Sequence, residues 1–441
     1  MNNRFMRIPI VLLSLVSLIA CADPSYTELK GIKQLRNPDG LAHIATIEEV
    51  RSEGYINFSK KMNAFSAKLS EIIAKRQYES GKNYTISPLS IELCLGLAIR
   101  AANGQTRQEL LTALDMDYDS FNTNYKIFYN YLCNETINNM NYQTSQLLLT
   151  NSIWIDDEIT LKDDGLDALK DDYYSHVFYA DFNNQNKAAN QAIRDFNKEK
   201  TKGLIDQDLN ISPNVLFVLM NTLYLKDIWN EDGIDLPYAS NSYRFKNSDQ
   251  SYSNKKLLLG DYNRGKAIDT NDYSSFFTKT DSGYNLYFIK AKDGKSIKNV
   301  FNKETITYVT DYNNYVIQDD EKLERYYTNC IFPEYDVETN VDLKKTFVED
   351  FNVNTLFSSA CDLSNISDDS VFCSDFKHVA KLKVDKKGIE GAAVTHMAYA
   401  GAVGPDEYTD VYENFVVDQE FGFILSRGQN VVFSGIITNI D

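Results

Sequence analysis

The chain has 441 residues, 43% hydrophobic and 24% charged, enough apolar material for a large buried core in an ordinary globular composition. Its net charge of −17 becomes two units more negative once a leader holding Arg4 and Arg7 is removed. No basic field is then available to displace counterions, so a nucleic-acid partner is excluded and the acidity reads as a solvated surface.

In chain order, residues 1–20 carry the two arginines and an apolar run, 8–19, broken by Pro9, Ser14 and Ser17. The run is too short to span a bilayer and reads as an export signal. Leu18-Ile19-Ala20-Cys21 resembles a bacterial lipobox, which implies cleavage before Cys21, a lipid on that cysteine, and an extracytoplasmic body held on a membrane of the bacterial cell envelope. An ordinary cleavage site with an incidental cysteine is the alternative. Cys94, Cys133, Cys330, Cys361 and Cys373 remain, an odd count without metal-ligand spacing. Cys361 and Cys373 bracket a short polar loop and could pair, but spacing alone does not establish the geometry.

Residues 21–55 mix charge, proline and glycine without sustained periodicity and read as a tether. Phe58, Met62, Phe65, Leu69 and Ile72 then recur at steps of four and three, with Lys60, Lys61 and Lys68 on other faces, predicting an amphipathic helix. A short strand at 83–88 stops at Pro88, and 89–102 is apolar on nearly every face, as suits a buried helix. Asn103-Gly104 closes it, and Thr106 followed by Glu109 predicts a capping box for the next. Far along the chain, 379–384 alternates as a strand, and 388–395 is a run of small, mostly uncharged residues suited to a sheet interior. Strands and helices intermix without a linker, which predicts one α+β domain with more than one sheet.

Catalytic signatures are missing. Four histidines occur, and no HExxH, GxSxG, GxxxxGK[ST] or Cys-x-x-Cys. The reading is not that of an enzyme and calls for no cofactor or metal. The 29 tyrosines raise a carbohydrate-binding face, for which scattered sheet and surface positions are the simpler account.

Ser87-Pro88-Leu89-Ser90-Ile91, Asn103-Gly104-Gln105-Thr106, the run 147–154, the run 219–226 with Trp229 eight residues after Asn221, and the closing 432–439 follow one another as they do in serpins. Residues 56–441 thus resemble that family. The resemblance implies a single large domain with three β-sheets, about eight or nine helices and an exposed reactive-centre loop at about 386–410. It implies that Ser87, Ser90, Asn221 and His378 form a buried cluster where the central sheet parts, with Trp229 under the top of the same opening. In inhibitory serpins a protease is acylated on the loop, and the cut loop enters the sheet as a new strand, deforming the enzyme before water releases it.

Gly388 stands ten residues after His378, the interval found in the family, so the resemblance makes it the start of the hinge. Alternate residues of a strand share a face, so Ile389, Gly391, Ala393, Thr395, Met397 and Tyr399 form one face, uncharged and fit for a core. Glu390, Ala392, Val394, His396 and Ala398 form the other. The family interval puts the scissile bond at Ala402-Val403. No Lys or Arg lies between Gly388 and Glu407, so a trypsin-like target is not expected, whereas Ala402 suits the small pocket of an elastase-like enzyme. The expectation is a monomeric, irreversible suicide-substrate inhibitor of an elastase-like serine protease. A non-inhibitory scaffold lipoprotein is the runner-up, and a carbohydrate-active surface lipoprotein the third reading. Three departures bear on efficiency: Lys386 stands where the family has Glu, leaving the pairing at the loop root reversed or missing; Ile389 replaces Thr; and Gly391 replaces Ala. The connection from Val403 to Phe421 is also longer than usual.

Overall fold

The structure, a computed structural model, describes residues 29–38, 45–79, 81–138, 146–229, 233–241, 243–315, 318–319, 324–374, 376–391 and 409–440. The first helices are α1 (Ile47–Arg51) and α2 (Glu53–Gln77). The Ser52 hydroxyl accepts from the Tyr55 N–H at 3.2 Å, capping α2, and Phe58, Met62, Phe65 and Leu69 form its buried stripe. After β2 (Tyr84–Ile86), Ser87 caps α3 (Pro88–Ala101), whose proline occupies the first turn, where no N–H is needed.

Helix α4 (Gly104–Ala113) has Asn103 as its N-cap residue, which corrects the capping box expected at Thr106. Thr106 lies inside the helix, and its hydroxyl accepts from the Asp362 N–H at 3.0 Å. Glu109 accepts from the N–H groups of Asn354 and Thr355 at 2.7 and 2.8 Å. Both side chains are drawn to a distant segment whose donors outcompete the local cap.

Then come α5 (Tyr118–Asn138), β3 (Gln146–Ile155), α6 (Asp163–Tyr173), β4 (Ser175–Ala180), α7 (Asn186–Lys200) and β5 (Phe217–Ile228). A two-stranded ribbon, β6 (Phe245–Lys246) and β7 (Tyr252–Ser253), leads to β8 (Leu258–Arg264), β9 (Ile268–Asp269), β10 (Tyr273–Lys279) and β11 (Asn285–Ala291). Two short helices, α8 (Ile297–Val300) and α9 (Lys303–Val309), precede β12 (Gln318–Asp319), β13 (Glu324–Phe332), β14 (Tyr335–Asp342) and α10 (Lys344–Asp350). The chain closes with β15 (Lys377–Asp385), β16 (Gly388–Gly391), β17 (Thr409–Val416), β18 (Phe421–Arg427) and β19 (Asn430–Ile437).

A seven-stranded central sheet has the order β1-β4-β3-β5-β16-β15-β14, where β1 is Ile32–Arg36. A second sheet runs β2-β19-β18-β11-β10-β9, and a third is built on β13, with β12 and β8 on one side and β17 parallel on the other. The described residues thus hold four sheets and ten α-helices, against the three sheets and eight or nine helices expected. The difference lies in the β6–β7 ribbon and in single-turn helices such as α1 and α8, too short to leave a periodic signal.

Within 21–55, read as a tether, Ile32–Arg36 instead forms strand β1. Ile32 pairs with Ala180 and Lys33 with Tyr179, making this segment the outermost strand of the central sheet. Arg36 forks to Asp163 and Asp167 of α6 at 2.6 Å each. Five residues with one buried side chain carry too little pattern to be read as a strand; the partner edge of β4 supplies the structure.

The central sheet has a core on each face. Ile153 and Ile155 point into the main core with α3, while Trp154 points the other way, stacked 4.1 Å from Phe178 beneath Ala189, Ile193 and Phe196 of α7. That alternation follows from the two-residue period of β3. Among the described residues Cys361 and Cys373 do not form the disulfide that their spacing allowed, and Cys94 and Cys330 form none either.

Candidate functional site: a part-filled gap in the central sheet

Strand β5 pairs along its length with β3, and β15 along its length with β14, so the central sheet consists of two blocks. Between them stands β16. On one side Gly388, Ile389, Glu390 and Gly391 face Ile228, Asp227, Lys226 and Leu225; on the other, Gly388, Ile389 and Glu390 face Asp385, Val384 and Lys383. Both pairings are antiparallel. Beyond Gly391 no described residue fills the gap.

The side chains of β16 divide by strand parity. Ile389 is 1% exposed and belongs to the main core, whereas Glu390 is half-buried and accepts from the Tyr224 hydroxyl at 3.1 Å. At Gly388 the backbones approach so closely that an added Cβ would lie 1.9 Å from the Asp227 carbonyl oxygen. Ala392, Ala393, Thr395, Met397, Tyr399, Ala402 and Val403 lie outside the described residues, as does Cys21.

A tight turn returns β15 to β16. The Asp385 carboxylate accepts from the N–H groups of Lys387 and Gly388 at 2.8 and 3.3 Å and pairs with Lys383 at 2.9 Å. Burial pushes the Asp385 acid upward, but these donors outweigh it and hold it below the usual carboxylate range. Trp229 donates from Nε1 to the Asp385 carbonyl at 2.7 Å, pinning the turn from beneath.

Lys386 has exchanged sign with its surroundings. Its ammonium meets Asp235 at 2.8 Å, its N–H donates to Glu334 at 3.0 Å, and its carbonyl accepts from the Leu236 N–H at 2.7 Å. The pairing at the loop root is therefore present and reversed. Neither acid is legible as its partner in sequence, because both are distant from Lys386 along the chain.

At the other end of the gap, Ser90, Asn221 and His378 line a cavity of about 40 Å³ together with Cys94 and Thr222. The Ser87 N–H donates to His378 Nε2 at 3.0 Å, so that nitrogen is the unprotonated one. The Ser87 hydroxyl donates to the Val432 carbonyl at 2.8 Å and accepts from the Ser90 N–H at 3.2 Å. Ser90 donates in turn to the Asn221 carbonyl at 3.2 Å. Burial pushes the His378 imidazole down to about 4, keeping it neutral. These four residues come together; Trp229 does not join them and sits at the hinge end of β5.

One member was missed by sequence reasoning. Asn221 donates to the Asn151 side-chain oxygen at 2.9 Å, and Asn151 donates to the Tyr173 carbonyl at 2.7 Å. The two asparagines are register partners in β3 and β5. The available signal was a lone Asn inside each of two apolar strand runs. Asn221 Oδ1 is left buried without a hydrogen-bond partner, so the network is incomplete on the side facing the gap.

A family profile described as Serpin (serine protease inhibitor) matches residues 60–440. "Serpin A3-1" of Bos taurus is 26% identical over 368 residues, covering 81% of this chain and 84% of its own length. "Iripin-2" of Ixodes ricinus is 24% identical over 379 residues, covering 81% and 88%. Among solved structures, the thermophilic serpin tengpin in its native state superposes with a TM-score of 0.68 at 19% identity, covering 95% of this chain and 99% of that one. Fold and sequence profile agree over nearly the whole described body: the chain belongs to the serpin family.

Proposed function

We propose that the chain inhibits an elastase-like serine protease irreversibly, as a suicide substrate. The observation that carries this reading is the position of β16, hydrogen-bonded on both sides at the mouth of a gap between two otherwise complete blocks of sheet. Cleavage of the loop frees its amino-terminal part to continue along the gap as a full strand. From Gly388 to Gly401, at ~3.3 Å per residue, that strand would be roughly 45 Å long, and an acylated enzyme would be carried a comparable distance. A dozen new ladder hydrogen bonds, each contributing about 0.5–1.5 kcal/mol, would add on the order of ten kcal/mol.

Continuing both registers of β16 by count gives one residue, Thr395, that would meet Asn221 on one side and His378 on the other. The inserted strand would reach the polar cluster with a small hydroxyl, a group able to donate to the unpartnered Asn221 Oδ1. Elastase-like specificity is supported by Ala402 and by the lack of Lys or Arg from Gly388 to Glu407. Lipid attachment at Cys21 on the bacterial envelope belongs to the same proposal, tested by loss of fatty-acid labelling in Cys21→Ser.

The deciding experiment cleaves the loop with an elastase-like protease and measures thermal unfolding before and after, with a detergent-stable complex assayed alongside. A large rise in Tm and a covalent complex are expected. An unchanged Tm would mean a non-inhibitory scaffold, and a complex with trypsin-like enzymes alone would overturn the specificity.

A further inference from the structure

Three tyrosines stand together on the outward face of the sheet built on β13. Tyr262 of β8, Tyr327 of β13 and Tyr412 of β17 come from three adjacent strands, with Tyr327 and Tyr412 in direct register. The rings of Tyr327 and Tyr412 stack at 5.5 Å and 21°, and Tyr262 meets Tyr412 edge-on at 5.1 Å and 79°. Tyr262 and Tyr412 are nonetheless 50% and 61% exposed, while Phe415 of β17 and Cys330 of β13 are buried. Aromatic rings that fix one another in place yet remain in water present rigid contact area whose ordering cost is already met, the character of a protein-docking surface.

The chain itself says what reaches this surface. Strand β17 is the first described element after β16, and in sequence Val403 precedes Thr409 by six residues and Tyr412 by nine. Six residues span at most about 20 Å. A protease domain of about 230 residues has a radius of gyration of about 17 Å, so an enzyme closed on the Ala402-Val403 bond brings its own surface over β17.

We infer that Tyr262, Tyr327 and Tyr412 form a docking surface for the body of the serine protease engaged on the loop, contributing to target selection independently of the residues at the cleaved bond. The inference rests on the inhibitor reading above. Because β16 enters a different sheet, docking on these tyrosines and insertion of the loop are separable.

The test compares the full-length chain with Tyr262→Ala/Tyr412→Ala and with Tyr412→Phe. Reversible binding is measured to an elastase-like protease whose nucleophilic serine is replaced by alanine, and the rate of covalent complex formation is measured with the active enzyme. We expect the double alanine variant to bind and react at least tenfold more weakly, Tyr412→Phe to stay within threefold, and the Tm rise on loop cleavage to be equal in all three. Equal binding and rates in wild type and double variant would overturn the docking surface while leaving the inhibitor reading intact. Tyrosine-dependent binding without any covalent complex would overturn the inhibitor reading and keep the surface. If the alanine changes instead abolish self-association and leave protease binding unchanged, the occupant is a second copy of the chain and the proposal fails.

Discussion

His378 Nε2 accepts the Ser87 N–H at 3.0 Å, tying strand β15 to the start of helix α3 across the floor of the sheet gap. That bond requires a neutral imidazole, and burial supplies one by lowering the ring from its ordinary 6.5 to about 4.

Acid should therefore weaken the fold in a defined window. Between pH 6.5 and 4 the unfolded chain takes up a proton at residue 378 that the folded chain refuses, so stability is full above 6.5 and falls as pH drops to about 4, by about 3 kcal/mol in all. His176, also pushed down to about 4 by burial, adds a slope of the same sign. Urea midpoints from pH 7.5 to 4 should show a shallower loss in His378→Gln than in wild type. Equal slopes would remove His378 from the account.

Glu92 has the opposite sign. Burial lifts its carboxyl to about 8, and the hydrogen bond from Ser66 at 2.6 Å offsets this only in part. The folded chain holds that proton between pH 4.5 and 8 while the unfolded chain releases it, so stability is lost as pH rises through this range. Glu92→Gln, which keeps an acceptor for Ser66, should raise stability at pH 7.5 by roughly 2–4 kcal/mol, read from denaturant unfolding.

Gly388 is the position where the hinge tolerates no side chain. Gly388→Val would drive a Cβ into the Asp227 carbonyl, 1.9 Å away. The variant should be cleaved by protease as readily as wild type but lose the Tm rise and the covalent complex. Retention of both would show that β16 need not dock between β5 and β15.

Thr395→Arg tests the extended register. A guanidinium carried between Asn221 and His378 would be desolvated beside a neutral ring and an amide, at a cost of several kcal/mol. Insertion should stop short of residue 395, giving a cleaved product with little Tm gain. Val394→Arg, on the opposite parity, should leave insertion intact, and equal effects of the two substitutions would refute the parity.

Lys386→Glu should set a carboxylate beside Asp235 and Glu334, loosening the loop root. The pair is exposed, so the effect on heat-driven oligomer formation should be an increase of no more than roughly fivefold. Adding Asp235→Lys should restore the wild-type rate, as followed by native gel electrophoresis; no change in either variant would make the ion pair incidental.

Much of this was legible in sequence wherever a local period carried it. The alternation over 379–384 became β15, buried at every second residue, and the steps of four and three from Phe58 became the buried stripe of α2. Ser87 and Ser90 share the start of α3, but Asn221 and His378 stand far along the chain on β5 and β15, so the four could be gathered only by resemblance. The Asn151 contact and the acids beside Lys386 left no local mark.

The sequence by itself determined which residues can face a core and which cannot, since strand and helix periods are properties of the chain alone. Whether Ile32–Arg36 forms a strand, where Glu109 spends its carboxylate, and which acid meets Lys386 were decided only in the tertiary structure. These depend on groups brought together from far along the chain, and a hydrogen bond or ion pair exists only where both partners arrive.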